Sequence, residues 1–417
     1  MRKNLLPFIL VTSLFFLWGI ANNMTDTLLS AFKRIMSMND LQTSFVQLAF
    51  YGAYFVLALP AAMFIKRFTY KSGILLGLGL FAAGGLLFIP ASQTMVYGHF
   101  LAALFILAGG LSILETTANP YIIALGDPAS GTRRLNLAQS FNPIGSISGV
   151  VLSKIFILSQ LAEASAEERA TMAPEQLEAL QAQELEAVMG PYVGVSIFLI
   201  LLWIVITCTK MPKASDEDGS LDLGPSFSRL LRNRRYTGGV LSQFFYMGAQ
   251  IGVWSYIIRY VMQELGVNED GASSYYIASL IVFTASRFIS TGLMSVVQPA
   301  KMLTLLALLG VVLTGTVILT SGMVSVIALV AISACLSLMF PTNFGLAVEG
   351  LHKDRKIGGA GVIMAILGGA IIPVFQGYVS DLTDINMSFL VPLVCFGLVA
   401  VYGWLVWKTD WMPVPDA

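Results

Sequence analysis

Charge is what this sequence has least of. Asp, Glu, Lys and Arg make up 12% of its 417 residues, about half the share of a soluble globular domain. Together with 56% hydrophobic residues and a mean hydropathy of +0.77, that deficit excludes an ordinary water-soluble globule and predicts an integral membrane protein. Cysteine is nearly absent as well. Cys208, Cys335 and Cys395 are scattered through apolar stretches, which gives neither a disulfide framework nor a thiolate metal pattern. The two histidines, His99 and His352, lie far apart, which argues against a zinc centre. No G-x-x-x-x-G-K-[ST] phosphate loop is present, so ATP is not the direct energy source. An intramembrane protease is not expected either: there is no H-E-x-x-H, and Gly126-Asp127 has no partner aspartate in a matching motif. The chain is not expected to be an enzyme, and no cofactor, resident metal or nucleic-acid partner is expected.

What the sequence has in abundance is apolar stretches long enough to cross a bilayer core of about 30 Å. Twelve of them recur, at 6–32, 42–65, 73–91, 97–124, 134–160, 190–209, 237–263, 273–296, 301–320, 324–350, 357–381 and 387–407. The fold class they predict is an all-α membrane protein of twelve transmembrane helices. The first stretch is too long, and too polar in its middle, for a cleaved signal peptide. Lys and Arg collect at both ends and in alternate loops, among them Arg2, Lys3, Lys66, Arg67, Arg133, Arg134, Lys301, Lys353 and Lys408. The excess of positive charge in cytoplasmic loops then places both termini in the cytoplasm. A polar stretch at 211–235, with Asp216, Glu217 and Asp218 followed by four arginines, reads as a cytoplasmic linker between an N-terminal six-helix bundle (1–210) and a C-terminal one (236–417). The long external loop, 161–186, holds seven Glu against one Arg and favours a short surface helix.

The two halves repeat each other weakly. Ser13-Leu-Phe15-Phe16-Leu-Trp-Gly19 matches Ser242-Gln-Phe244-Phe245-Tyr-Met-Gly248, and Leu111-Ser112-Ile-Leu-Glu115-Thr-Thr117 matches Leu336-Ser337-Leu-Met-Phe340-Pro-Thr342. The matches fall in corresponding helices in the same order, as parallel repeats about an axis along the membrane normal require, with substrate expected between the halves.

Against this apolar background stand two carboxylates, Asp26 and Glu115, in the middle of predicted helices. A charged side chain near the bilayer centre costs about 2.5–3.5 kcal/mol on insertion scales, so such groups usually face a cavity and handle ions or substrate. Trp18, Asn22 and Asp26 are spaced i, i+4, i+8; Ser112, Glu115 and Asn119 share a face; and Asn136, Gln139, Asn142 and Ser146 follow at helical spacing. In the second half Gln243, Tyr246, Gln250 and Trp254 lie along one predicted helix, with Asn343 and Gln376 in later ones. Amides and acids that donate and accept are what sugar hydroxyls need, and an indole such as Trp18 or Trp254 can cover the ring's C–H surface. The competing reading of each amide is glue between helices. Arg287, deep in its segment, is a candidate for an ion pair or a substrate contact. In the repeat, Ser255 and Phe340 stand where Asp26 and Glu115 stand, which assigns ion coupling to the first half. A proton moving through 100 mV supplies about 2.3 kcal/mol, enough for a solute gradient of roughly fortyfold. Sodium is the alternative, held near Asp26, Asn22, Thr25 and Gln139, since hard cations prefer oxygen ligands. A transporter-like sugar sensor is a further reading.

Six blocks carry a resemblance: Phe15-Phe-Leu-Trp18-Gly-Ile-Ala-Asn22-Asn23-Met-Thr-Asp26, Leu114-Glu115-Thr-Thr-Ala-Asn119-Pro120-Tyr, Leu137-Ala-Gln139-Ser-Phe-Asn142-Pro-Ile-Gly, Gln243-Phe-Phe-Tyr-Met-Gly-Ala-Gln250, Met339-Phe-Pro341-Thr342 and Ile363-Met-Ala-Ile-Leu-Gly-Gly-Ala-Ile-Ile-Pro373. They are similar to the fucose/galactose/glucose:cation symporter family of the major facilitator superfamily, across essentially all twelve segments. The resemblance implies a monomeric, multi-pass symporter of a bacterial inner membrane that moves a monosaccharide, normally with a proton. It also implies that Asp26 and Glu115 are the functional acids and that Gln139 and Asn142 line the cavity. Asn343 and Glu349 depart from it, the first standing where an apolar residue is expected and the second where a basic residue is commoner.

Overall fold

The computed structural model describes residues 5–35, 40–156, 166–212 and 223–408. The side chains of Asn22, Thr25, Asp26 and Lys154, and all of Arg2, Lys3, 161–165 and the acidic cluster at 216–218, lie outside the described residues. The helices are α1 (Leu5–Ile35), α2 (Asp40–Arg67), α3 (Tyr70–Thr94), α4 (Tyr97–Ala124), α5 (Gly131–Gln139), α6 (Phe141–Phe156), α7 (Ala166–Thr171), α8 (Pro174–Cys208) and α9 (Leu223–Arg232). They continue with α10 (Arg234–Leu265), α11 (Glu269–Leu293), α12 (Pro299–Leu319), α13 (Gly322–Leu336), α14 (Met339–Val348), α15 (Arg355–Met364), α16 (Gly368–Leu382), α17 (Ile385–Ser388) and α18 (Leu390–Lys408). No strand occurs among the described residues. Each of the twelve expected segments coincides with a helix or with a broken pair of helices.

Several boundaries differ from the sequence expectation, for physical reasons. The segment expected at 134–160 is interrupted at Ser140, and that at 324–350 at Ser337–Leu338. A 3-10 turn at Ala365–Leu367 divides the segment expected at 357–381. Helix α8 begins at Pro174, far ahead of residue 190, because proline is favoured in a first turn and the Ala, Leu, Glu and Gln that follow propagate it. The expected linker itself contains a helix, α9. Nine stretches among the described residues are long and apolar enough to cross a membrane. Helix α10 is not one of them, since Gln243, Gln250, Arg259 and Gln263 lower its hydropathy without shortening it.

The chain forms two compact units, residues 1–118 with 141–213, and 119–140 with 214–417. In the first unit α1 lies along α6, and α3 along α8. The α1–α6 contact is backbone on backbone: a Cβ on Gly19 would strike the Asn142 carbonyl, one on Gly145 the Phe16 carbonyl, and one on Gly149 would stand 2.7 Å from the Ile20 carbonyl. Gly145 and Gly149 are four apart, the spacing that lets membrane helices approach closely. Lys71 Nζ donates to the carbonyls of Thr207 and Thr209 at 2.8 and 2.9 Å and closes the end of α8. In the second unit α10 is central, touching α11, α13, α14, α16 and α18, while the short α5 packs on α14 and α11. Here a Cβ on Gly368 would strike the Phe244 carbonyl, so segment seven meets segment eleven through glycine as segment one meets segment five.

These contacts leave no side chain that can give way. Gly145→Ala or Gly368→Ala is expected to destabilise the folded protein by about 1–3 kcal/mol through overpacking. Gly397→Ala, with nothing within 4 Å of the added Cβ, is expected to leave stability unchanged. Thermal unfolding in detergent checks the contrast, and equal melting temperatures for all three would overturn it.

Candidate functional site

In the first unit the intramembrane acid whose side chain is described is Glu115, 6% exposed in the middle of α4. The Tyr54 hydroxyl of α2 sits beside the Trp18 indole and within electrostatic reach of Glu115. Both aromatics are buried. Trp18 stacks on Phe15 with ring centroids 5.9 Å apart and planes 18° from parallel. Ser112 Oγ, one turn before Glu115, donates to the Tyr54 carbonyl at 3.2 Å and ties α4 to α2. The backbone of Asp26 lies in α1. Asn142 Nδ2 donates to the Phe15 carbonyl at 3.2 Å, so it also joins α6 to α1.

The second unit brings together the amides around the break after α5. Gln139 Nε2 donates to Asn119 Oδ1 at 2.7 Å, with both side chains buried. Asn136 Nδ2 donates to the Thr132 carbonyl at 2.9 Å and to Thr342 Oγ1 at 3.3 Å. Arg287, 3% exposed, takes part in no ion pair among the described residues. Its Nη1 donates to the Gln139 carbonyl at 3.0 Å and its Nε to the Ser337 carbonyl, while the guanidinium lies 4.6 Å from the centre of the Phe283 ring. It therefore binds the exposed carbonyls of two helix breaks at once.

The remaining residues from the second half divide into two sets. Tyr246 donates its hydroxyl to Gln250 Oε1, and its ring meets Phe340 edge-on at 6.3 Å. Trp254 Nε1 donates to Ser333 Oγ at 3.2 Å, and the indole is edge-on to Phe283 and Tyr276. Gln250 and Trp254 are partly exposed. Gln243, Asn343 and Gln376, by contrast, are fully buried. Asn343 Oδ1 accepts from Ser242 Oγ at 3.0 Å, and Gln376 lies over Gly252, whose added Cβ would also stand 3.7 Å from Pro392. No hydrogen bond reaches either amide atom of Gln243 or Gln376, or Asn343 Nδ2. The two departures from the family blocks thus have local partners, Ser242 for Asn343 and Arg235 for Glu349.

Tyr54, Ser333 and Phe283 were not singled out in the sequence. A tyrosine, a serine and a phenylalanine within apolar runs carry no signal above ordinary core, and only the crossing of helices brings them to Glu115, Trp254 and Arg287. No cluster of three or more His, Cys, Asp or Glu side chains able to hold a metal occurs among the described residues.

Comparison with known proteins agrees with these blocks. The sequence profile of the Major Facilitator Superfamily matches residues 10–366. The L-fucose-proton symporter of Haemophilus influenzae is 40% identical over 98% of this chain and 98% of that protein. The glucose/galactose transporter of Brucella abortus is 33% identical over 94% of this chain and 92% of its own. The crystal structure of the Escherichia coli fucose:proton symporter superposes with a TM-score of 0.92 at 38% identity, covering 97% of this chain and 99% of that one.

Arg287 reaches the carbonyls of Ser337 and Gln139 from two separate nitrogens of one planar fork, Nε and Nη1, whereas a lysine would have to reach both from a single nitrogen. Arg287→Lys is expected to leave one of them unmet, at about 1–3 kcal/mol. A lower unfolding temperature in detergent is the expected result; an unchanged one would remove the clamp.

Proposed function

The chain belongs to the Major Facilitator Superfamily, within its fucose/galactose/glucose:cation symporter family, and from that premise we propose that it is a monosaccharide:proton symporter working by alternating access, with L-fucose as its substrate. The observation that carries the reading is Glu115, a carboxylate in the middle of a membrane-spanning helix, buried within electrostatic reach of the Tyr54 hydroxyl. Ionised, it is costly there; carrying a proton removes that cost and lets the site pass through a closed state. Asp26 is the main coupling acid and Glu115 links it to sugar. Trp254 covers the apolar face of the ring, and Asn119, Gln139, Tyr246 and Gln250 supply hydroxyl partners.

Identity of 40% to a protein named for L-fucose and protons, against 33% to one named for glucose and galactose, supports L-fucose over the other hexoses. The same name supports the proton over sodium as the coupled ion. The sequence halves 1–210 and 236–417 exchange access to the two sides, the termini lie in the cytoplasm, and the protein works as a monomer in the inner membrane.

Uptake into proteoliposomes tests this directly. L-Fucose is expected to accumulate when the outside is made acidic, and not under a sodium gradient alone; accumulation driven by sodium without a pH gradient would replace the proton. Asp26→Asn is expected to abolish gradient-driven accumulation while sugar binding and counterflow persist, because the carrier still cycles but no longer takes a proton with it. Glu115→Gln is expected to lose accumulation as well. Unchanged accumulation in either variant would remove that residue from the coupling.

A further inference from the structure

Helix α9 is too short and too charged to cross a bilayer, yet it carries large apolar side chains on its outer surface. Leu231 is 72% exposed and Phe227 39%; with Leu223 they stand at i, i+4 and i+8, one stripe along the helix. The adjoining side of the helix is seated on the protein. Ser226 and Leu230 are buried, and a Cβ on Gly358 would stand 3.3 Å from Leu230 Cδ2. Arg229 grips Asp354 with both arms of its fork, Nε to Oδ2 at 2.7 Å and Nη2 to Oδ1 at 2.8 Å. The helix is therefore held in one rotation about its axis, with the apolar stripe turned outward.

Its height is set as well. A single residue, Asn233, separates α9 from the membrane-spanning α10, and its Oδ1 accepts the Tyr236 amide at 3.1 Å as the cap of α10. The C-terminal end of α9, with Leu231, thus lies within three residues of the first turn of a spanning helix, where headgroups begin. Arg232 and Arg234 flank Leu231, are exposed, and enter no ion pair among the described residues. Lys353, also exposed, adjoins the Asp354 that seats the helix. Apolar side chains beside unpaired arginines at headgroup level are complementary to an anionic bilayer surface: Leu and Phe enter the acyl boundary while the guanidiniums meet phosphates.

We propose that α9 is a surface anchor that binds the anionic lipid surface through Phe227, Leu231, Arg232 and Arg234. The symport reading enters only in naming that surface as the cytoplasmic leaflet. A spin label on Leu231→Cys in a Cys208→Ser background tests it in the full-length protein, since Cys335 and Cys395 are buried and residue 231 makes too little contact for its loss to unfold the chain. In phosphatidylcholine vesicles containing phosphatidylglycerol, the label is expected to collide readily with oxygen and poorly with a water-soluble nickel chelate. Each of Arg232→Gln and Arg234→Gln, or removal of the phosphatidylglycerol, is expected to move the label toward water, by about fivefold in the immersed-to-aqueous ratio per arginine; high salt acts in the same direction. Water-like collision rates in anionic vesicles overturn the proposal. So does equal immersion in neutral and anionic vesicles, which would mean apolar contact without charge recognition. Sugar uptake by the same vesicles is scored separately, so a failure of transport and a failure of anchoring are told apart.

Discussion

In the hydrocarbon of a bilayer no water is available to take up a free backbone carbonyl, and each one left alone costs several kcal/mol. That constraint explains both why the described residues are almost entirely helical and where the helices can stop. Three spanning segments are interrupted, at Ser140, at Ser337–Leu338 and at Ala365–Leu367, and the first two share one arrangement. Side-chain hydroxyls take part of the load, Ser140 Oγ donating to the Asn136 carbonyl and Ser337 Oγ to that of Ala334. Arg287 takes the rest by holding the carbonyls of Gln139 and Ser337 together. The first break falls where the amides lie, so Gln139 serves twice: its carbonyl meets Arg287 and its side chain meets Asn119. The polar cluster and the interruptions of the helices are one arrangement.

Glycine governs the other half of the geometry. Gly19 and Gly145 remove side chains from the line where α1 meets α6, and the two backbones touch. On a helix each residue turns about 100° from its neighbour. With Gly19 pressed against α6, Trp18 is carried round toward Tyr54, and Asn142 is brought close enough to donate to the Phe15 carbonyl. Close packing with no side chain in between is what sets the indole near the Tyr54 hydroxyl.

The number and order of spanning segments were legible because bilayer thickness imposes a length that any apolar run either meets or fails. Glu115 was legible for the same reason, as a charge where charge is expensive. The fate of the amides was not. By helical periodicity Gln243, Gln250 and Trp254 of α10 fall within a narrow stripe, yet Gln243 is fully buried while the other two are partly exposed. Seven residues separate Gln243 from Gln250, about 10 Å along the axis. Spacing reports the direction a side chain points, not what stands opposite at that height. Gln376 is the same case, directed at Gly252 on a helix that the sequence cannot pair with it. The helix breaks did carry a signal, Pro143 and Pro341, which have no N–H for the carbonyls four residues back, those of Gln139 and Ser337; what the sequence could not show is that Arg287 takes up both.

The repeat sharpens what the two halves can do. Segment one meets segment five, and segment seven meets segment eleven, each through a glycine pressed on a carbonyl of a Phe-Phe pair, Phe16 in one and Phe244 in the other. On that shared frame the residue at the position of Glu115 is Phe340, which lies edge-on to Tyr246. A second carboxylate there would add another desolvation cost. An aromatic at that position carries no proton but offers a face to the C–H surface of a sugar. If the first half carries the ion, the second is left free to bind substrate through aromatics, hydroxyls and amides whose character does not change with pH. The coupling then has a single seat, and a variant on the second-half face is open to changes of sugar preference that leave the ion requirement intact.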